Sequence, residues 1–141
     1  MRKYTNLEYI ATMSSVLMNS FSFYRRPYED YSKVKDYQTE KVRQLLKHAY
    51  ETTILYREKY KAAGVKPEDF HTLEDLKKFP CVSKKEITDA FPDGCVSKKF
   101  DRRKKITSIS SGSSGKIITI YHDPKDTWAY ILGRSRILNM T

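Results

Sequence analysis

Ser110-Ser111-Gly112-Ser113-Ser114-Gly115-Lys116 lies between two β-type runs, Lys105–Ile109 and Ile117–Tyr121. Two glycines three apart, four serine hydroxyls and one lysine make a strand–loop–strand unit suited to an anion. Glycine lets the backbone turn at positive φ and bring its N–H groups close to a phosphate. The serines add short O–H donors, and Lys116 adds positive charge. The pattern is not a P-loop: the position five before Gly115 is Ser110, and Ile117 follows Lys116. Nor does a G-x-G-x-x-G dinucleotide fingerprint occur. Composition alone leaves a second reading open, a plain Gly/Ser connection between two strands.

Working outward, the segment before the loop is basic. Lys98, Lys99, Arg102, Arg103, Lys104 and Lys105 face only Asp101, so this octet holds +5 of the chain's net +10. Three readings apply: a solvated, mobile segment, a field that concentrates a polyanion near the loop, or a nuclear-localisation or nucleic-acid patch. Against the last, only Phe100 interleaves with the basic residues, and no zinc or helix-turn-helix signature accompanies them.

The clearest helix is read over residues 36–63. Val42, Leu45, Leu46, Ala49, Tyr50, Thr53, Tyr56 and Tyr60 form one stripe, Gly64 stands at the C′ position, and Pro67 follows. Thr72 caps a second helix carrying Leu73, Leu76 and Phe79, which Pro80 stops. Ser83-Lys84-Lys85-Glu86 is a capping box before Ile87, Ala90 and Phe91. Pro92-Asp93-Gly94 turns the chain. Asp123-Pro124 starts a last helix with Trp128, Ile131, Leu132, Ser135 and Leu138 on one stripe. That helix meets no stop signal before Thr141, which is read as truncation inside a larger fold. Residues 1–35 read as aromatic and irregular, with Pro27 among Tyr24, Tyr28 and Tyr31 as a boundary. A weak surface amphipathic helix over Asn6–Phe23 is the alternative there.

At 141 residues there is room for one domain or part of a larger one. Hydrophobic content is 39% with 11 tyrosines, and mean hydropathy is −0.68, so aromatics must supply much of any core. Cys81 and Cys95 lack metal-type spacing and read as reduced thiols of a cytoplasmic protein. His48, His71 and His122 are scattered, and His48 reads as a surface or packing residue. Met1-Arg2-Lys3 starts like a signal peptide, but polar residues interrupt the next stretch of chain and no cleavage site appears. No apolar run reaches membrane-spanning length. No metal site is expected.

Two blocks resemble the phenylacetate–CoA ligase-like branch of the AMP-forming adenylating enzymes, which includes proteins linked to capsular polysaccharide biosynthesis. The first block is Leu45-Leu46-Lys47-His48-Ala49-Tyr50-Glu51-Thr52-Thr53, Tyr56-Arg57-Glu58, Ala63-Gly64-Val65, Pro67-Glu68-Asp69, Leu73-Glu74-Asp75-Leu76 and Phe79-Pro80. The second is Ser110–Lys116, similar to that family's Ser/Thr/Gly-rich ATP loop. The two span roughly residues 36–125, and residues 1–35 match weakly. Two departures stand out. The family commonly has proline where this chain has Ile117, and favours proline at the position of Ile54.

The resemblance implies an α/β fold, α+β in this stretch. N-terminal helices precede a β-hairpin with a phosphate-binding loop and then a helix, the start of an AMP-binding domain over residues 36–141. It implies ATP, Mg2+ and CoA as cofactors, a small-molecule carboxylate as substrate, and Ser110, Ser111, Gly112, Ser113, Ser114, Gly115 and Lys116 as the ATP-phosphate-binding set. It implies a remainder with further motifs and a catalytic lysine beyond Thr141, so no residue here is assigned as a catalyst. The competing readings are a non-catalytic basic module for nucleic acid or an anionic membrane surface, and a relic gene product without activity.

Overall fold

The computed structural model describes residues 6–110, 117–123, 130, 133 and 134. In chain order the elements are α1 (Asn6–Arg25), α2 (Tyr31–Thr52), α3 (Ile54–Ala62), α4 (Lys84–Ala90), β1 (Ile106–Ile109) and β2 (Thr119–His122), with short 3-10 turns between them. Two units separate. One comprises Tyr31–Phe100 and Ile109–Thr119; the other comprises Met1–Asp30, Asp101–Ser108 and Ile120–Thr141.

The irregular reading of residues 1–35 is overturned by α1, a 20-residue helix. No Gly or Pro interrupts Asn6–Arg25, so nothing local breaks it. Its serines satisfy themselves on the helix rather than competing with it: Ser14 Oγ donates to the Ile10 carbonyl at 2.8 Å and Ser20 Oγ to the Leu17 carbonyl at 2.6 Å. Leu7, Ile10, Leu17 and Met18 remain exposed. The boundary at Pro27 holds, because α1 ends at Arg25 and a 3-10 turn over Arg26–Tyr28 comes next.

The single helix read over 36–63 is two helices, and the first starts earlier, at Tyr31. The break is at Thr53, which is extended at φ −121 and ψ 146. The chain returning at 94–98 takes up the backbone groups that the break releases. Ile54 and Leu55 N–H both donate to the Gly94 carbonyl at 3.0 and 2.9 Å, and Lys98 N–H donates to the Thr52 carbonyl at 2.9 Å. The buried Thr52 and Thr53 hydroxyls turn back onto the His48 and Ala49 carbonyls, both at 2.7 Å. Such back-bonding weakens a helix locally.

Ile54 is therefore the first residue of α3, the position where proline is best tolerated. Thr53 already has the extended conformation that a following proline demands. Ile54→Pro is expected to change stability by no more than about 1 kcal/mol, the scale of its one hydrogen bond to Gly94, since Leu55 keeps the other. Thermal denaturation checks this. A loss near 3 kcal/mol, roughly the helix-interior figure, would show that the break is misplaced.

Gly64 ends α3 as the sequence predicts. Its φ is +67, Gly64 N–H donates to the Lys61 carbonyl at 3.1 Å, and Val65 N–H donates to the Tyr60 carbonyl at 3.0 Å. That is a Schellman closure, and Val65 packs on the cluster containing Tyr60.

The core of this unit is aromatic. Leu46, Tyr60, Phe70 and Phe79 are buried, with Val42, Tyr50, Tyr56, Val65 and Leu73 packed around them. Tyr60 meets Phe79 edge-on at 5.2 Å between ring centres, stacks on Tyr50 at 6.1 Å, and meets Tyr56 edge-on at 6.1 Å. Each such pair adds roughly 0.5–1.5 kcal/mol beyond burial. Burial pushes the Tyr60 hydroxyl pKa up. One residue of the expected stripe departs: Leu45 is 64% exposed, one position off the buried line of Leu46 and Ala49.

Thr72 precedes a 3-10 turn over Leu73–Lys78 rather than an α-helix. The Asp75 carboxylate accepts from Thr72 and His71 N–H at 2.9 and 3.0 Å, which caps the N-terminal end of the turn. The capping box at α4 forms as read. Ser83 N–H donates to Glu86 Oε2 at 2.7 Å, and Glu86 N–H donates to Ser83 Oγ at 3.2 Å.

Within the basic octet Arg102 and Arg103 are exposed, in keeping with a solvated segment. Arg102–Lys104 form a 3-10 turn in which Asp101 accepts from Arg103 N–H at 3.1 Å and holds its guanidinium at 3.0 and 3.2 Å. The helix read from Asp123-Pro124 lies almost entirely outside the described residues.

Candidate functional site

The serine/glycine segment leaves one strand of a two-stranded sheet and re-enters the other. The strands start and end slightly later than the sequence runs, at Ile106–Ile109 and Thr119–His122. β-branched residues at Ile106, Thr107, Ile109, Thr119 and Ile120 favour the extended backbone. All four β1 residues are exposed, including Ile109 at 66%.

Of the seven residues read as a phosphate site, only Ser110 is described. Ser111, Gly112, Ser113, Ser114, Gly115 and Lys116 lie outside the described residues. Ser110 N–H donates to the Ile118 carbonyl at 2.9 Å, and Ile118 N–H donates to Ser110 Oγ, also at 2.9 Å. In a regular antiparallel pair that second bond would go to the Ser110 carbonyl. Here the side chain takes its place, and the ladder ends there. Ser110 and Ile118 are thereby fixed side by side.

Lys105, the last residue of the octet, sits 4.3 Å from the Tyr121 ring centre, with its Nζ donating to the Tyr121 hydroxyl at 3.1 Å. A cation over a tyrosine face gains roughly 0.5–1 kcal/mol at exposed sites. Lys105 thus stands just before β1 and contacts β2 through Tyr121.

The helical unit carries perturbed carboxylates. Glu86 is drawn down to about 2, first by Lys59, whose Nζ lies 2.6 Å from Oε1, then by the Ser83 hydroxyl and N–H. Asp75 is held well below the usual carboxylate range, first by Lys78 at 2.7 Å and then by the Thr72 and His71 N–H groups. Both groups staple turns of the helical unit and have no geometry suggesting catalysis. Among the described residues no three His, Cys, Asp or Glu side chains gather as a metal site. Cys81 is exposed and Cys95 half-buried, and neither is in a disulfide. His48 is exposed, and its carbonyl accepts from the Thr52 hydroxyl. An open groove of about 350 Å³ lies between Arg43 and Lys47 of α2 and the Pro67–His71 turn, over Phe70. Arg43 is already engaged there by Glu40 and the His71 carbonyl.

Sequence reasoning misses Gly94 as an organising residue. Pro92-Asp93-Gly94 reads as a turn, but its double-acceptor role depends on a break in the helix 40 residues earlier, and only the Thr52-Thr53 pair hints at that.

No profile of a known protein family matches the chain. Individual relatives do. A phenylacetate-coenzyme A ligase from Escherichia coli (strain K12) is 40% identical over 100 residues, covering 70% of this chain and 23% of that protein. Phenylacetate-coenzyme A ligases from Pseudomonas putida and Aromatoleum evansii are each 35% identical, covering 72% and 70% of this chain, and 24% and 22% of those proteins. The chain therefore spans about a quarter of the length of the curated relatives it matches. A solved 2-hydroxyisobutyryl-CoA ligase, in an open conformation with 2-HIB-AMP and CoA, superposes with a TM-score of 0.61 at 22% identity. It covers 72% of this chain and 24% of that one. That superposition supports the fold, mixed helices with a small sheet. Among the described residues no helix is long and apolar enough to cross a membrane. On the strength of the sequence relatives, the chain belongs to the phenylacetate–CoA ligase-like family of adenylating enzymes.

Proposed function

We propose that this chain is the N-terminal part of an AMP-forming carboxylate–CoA ligase, and that Ser111–Lys116 is its ATP-phosphate cradle. The observation that carries the reading is a Ser/Gly/Lys segment held at its mouth by the Ser110–Ile118 pair, in a chain 40% identical to a phenylacetate-coenzyme A ligase.

In this reading a carboxylate oxygen attacks the α-phosphate of ATP, the bond to pyrophosphate breaks, and an acyl-adenylate forms. The CoA thiol then attacks the acyl carbon, loses its proton, and AMP leaves. Backbone N–H groups from Gly112 to Gly115 and the hydroxyls of Ser111, Ser113 and Ser114 hold the β- and γ-phosphates. Lys116 offsets their charge, which grows as pyrophosphate departs. Bound Mg2+ would neutralise the phosphate oxygens further. The helical unit is scaffold. The resemblance implies a catalytic lysine outside this chain, so the chain by itself is expected to form no acyl-adenylate.

The basic-module alternative is separated by titrating Mg·ATP and a single-stranded oligonucleotide into the chain at low and high salt. The cradle predicts binding that is selective for ATP over the oligonucleotide. Oligonucleotide binding that falls steeply with salt, with no preference for ATP, would favour the basic octet as the binding element.

A further inference from the structure

We propose that Ser110 is a positioning residue of the loop mouth rather than a phosphate ligand, acting through the Ile118 amide. The proposal rests on the phosphate-cradle reading of the segment it closes. Ser110 does two things at once across the sheet. Its N–H donates to the Ile118 carbonyl, and its Oγ accepts the Ile118 N–H, both at 2.9 Å. The hydroxyl substitutes for the carbonyl that a continuing ladder would use. The two bonds hold Ser110 and Ile118 side by side. An anion cradle gains from having its ends fixed before the ligand arrives, because less ordering is left to do on binding.

The placement is specific to this residue. Ser110 is the first residue of the segment, and Ile118 is the second after Lys116. Both belong to the same compact unit. Alanine at 110 keeps the N–H bond and removes only the acceptor. Threonine keeps the hydroxyl and adds a methyl group that an extended position accommodates. Ile118 and Ser110 are half-buried, so the Ile118 amide is shielded enough for loss of its partner to register as exchange.

The test measures amide hydrogen exchange and Mg·ATP affinity together, in the wild-type chain, Ser110→Ala and Ser110→Thr. The Val65 amide, bonded to the Tyr60 carbonyl within the core, serves as the folding reference. Without nucleotide, Ile118 exchange is expected to rise about tenfold in Ser110→Ala and to stay near wild type in Ser110→Thr, the scale of one hydrogen bond. Mg·ATP affinity is expected to fall by a similar factor in Ser110→Ala and to return in Ser110→Thr. Equal Ile118 exchange in wild type and Ser110→Ala overturns the clamp. A lost clamp with unchanged ATP affinity overturns the positioning role. If wild type binds no ATP, the cradle reading fails, and the Ile118 comparison still decides whether Ser110 closes the mouth.

Discussion

Gly115→Val in the intact ligase is expected to reduce carboxylate-dependent pyrophosphate release by at least about a hundredfold while leaving the fold in place. The size follows from what the loop supplies. Removing a single preorganised donor from a transition-state anion typically costs a factor of about 10²–10³. Valine at 115 keeps the backbone N–H, but its branched side chain narrows the backbone conformations open to the segment and so misaims the donors that the cradle reading assigns to it. Folding is insulated because the core is built from residues between Val42 and Phe79. Circular dichroism and melting temperature should match wild type as pyrophosphate release disappears. A fully active Gly115→Val enzyme would remove the phosphate role from this segment.

The second large effect concerns stability. Gly94→Ala is expected to destabilise the helical unit by about 3 kcal/mol, the upper part of the range for overpacking a tight site. A Cβ at Gly94 would lie 2.8 Å from Ala90 Cβ and 2.9 Å from the Ala90 carbonyl oxygen. The oxygen is backbone and cannot swing aside. Any shift also moves the Gly94 carbonyl, which receives both Ile54 and Leu55 N–H, and the Gly94 N–H, which donates to the Ala90 carbonyl at 2.7 Å. Gly64→Ala makes a useful comparison. Nothing lies within 4 Å of a Cβ there, so only the positive φ opposes it, at roughly 1–2 kcal/mol. Urea denaturation of the two variants should place the Gly94→Ala midpoint lower. The reverse order would mean that the 94–98 segment does not brace the helix break.

The parts of this fold that are legible in the sequence are those decided by neighbouring residues. The C′ glycine at 64, the Ser83–Glu86 box and the Pro92-Asp93-Gly94 turn each depend on contacts within about five residues of chain, where local chemistry dominates. The α2–α3 share of the core is likewise visible as a stripe, apart from Leu45, because one helical face gathers residues by spacing alone, whereas the buried Phe70 lies on no such stripe. The break at Thr53 is not visible. Its stability comes from Gly94 and Lys98, about 40 residues away, and helical periodicity runs through it almost undisturbed. Residues 1–35 mislead for the opposite reason. Tyrosines and serines have middling helix propensity, so α1 gives a weak signal although nothing in it forbids a helix.

The candidate site divides in the same way. Residue types fit Ser110–Lys116 both to phosphate chemistry and to a plain Gly/Ser connection between two strands, and of the seven only Ser110 is among the described residues. The hydroxyl-for-carbonyl exchange between Ser110 and Ile118 emerges only from the geometry, because any of the four serines fits that pattern equally well on paper. The octet teaches the reverse lesson. Its charge is plain in the sequence, but the Asp101–Arg103 fork and the Lys105–Tyr121 contact make it a structured lead-in to the sheet.

The most direct measurement of the central claim is carboxylate-dependent pyrophosphate release from a chimera. This chain would replace the matching 100 residues of the Escherichia coli phenylacetate-coenzyme A ligase, joined in frame to the rest of that enzyme. The account predicts a folded chimera that releases pyrophosphate with Mg·ATP and phenylacetate and loses that release in Gly115→Val. A folded chimera that binds carboxylate but releases no pyrophosphate, beside an active parent enzyme, would contradict it.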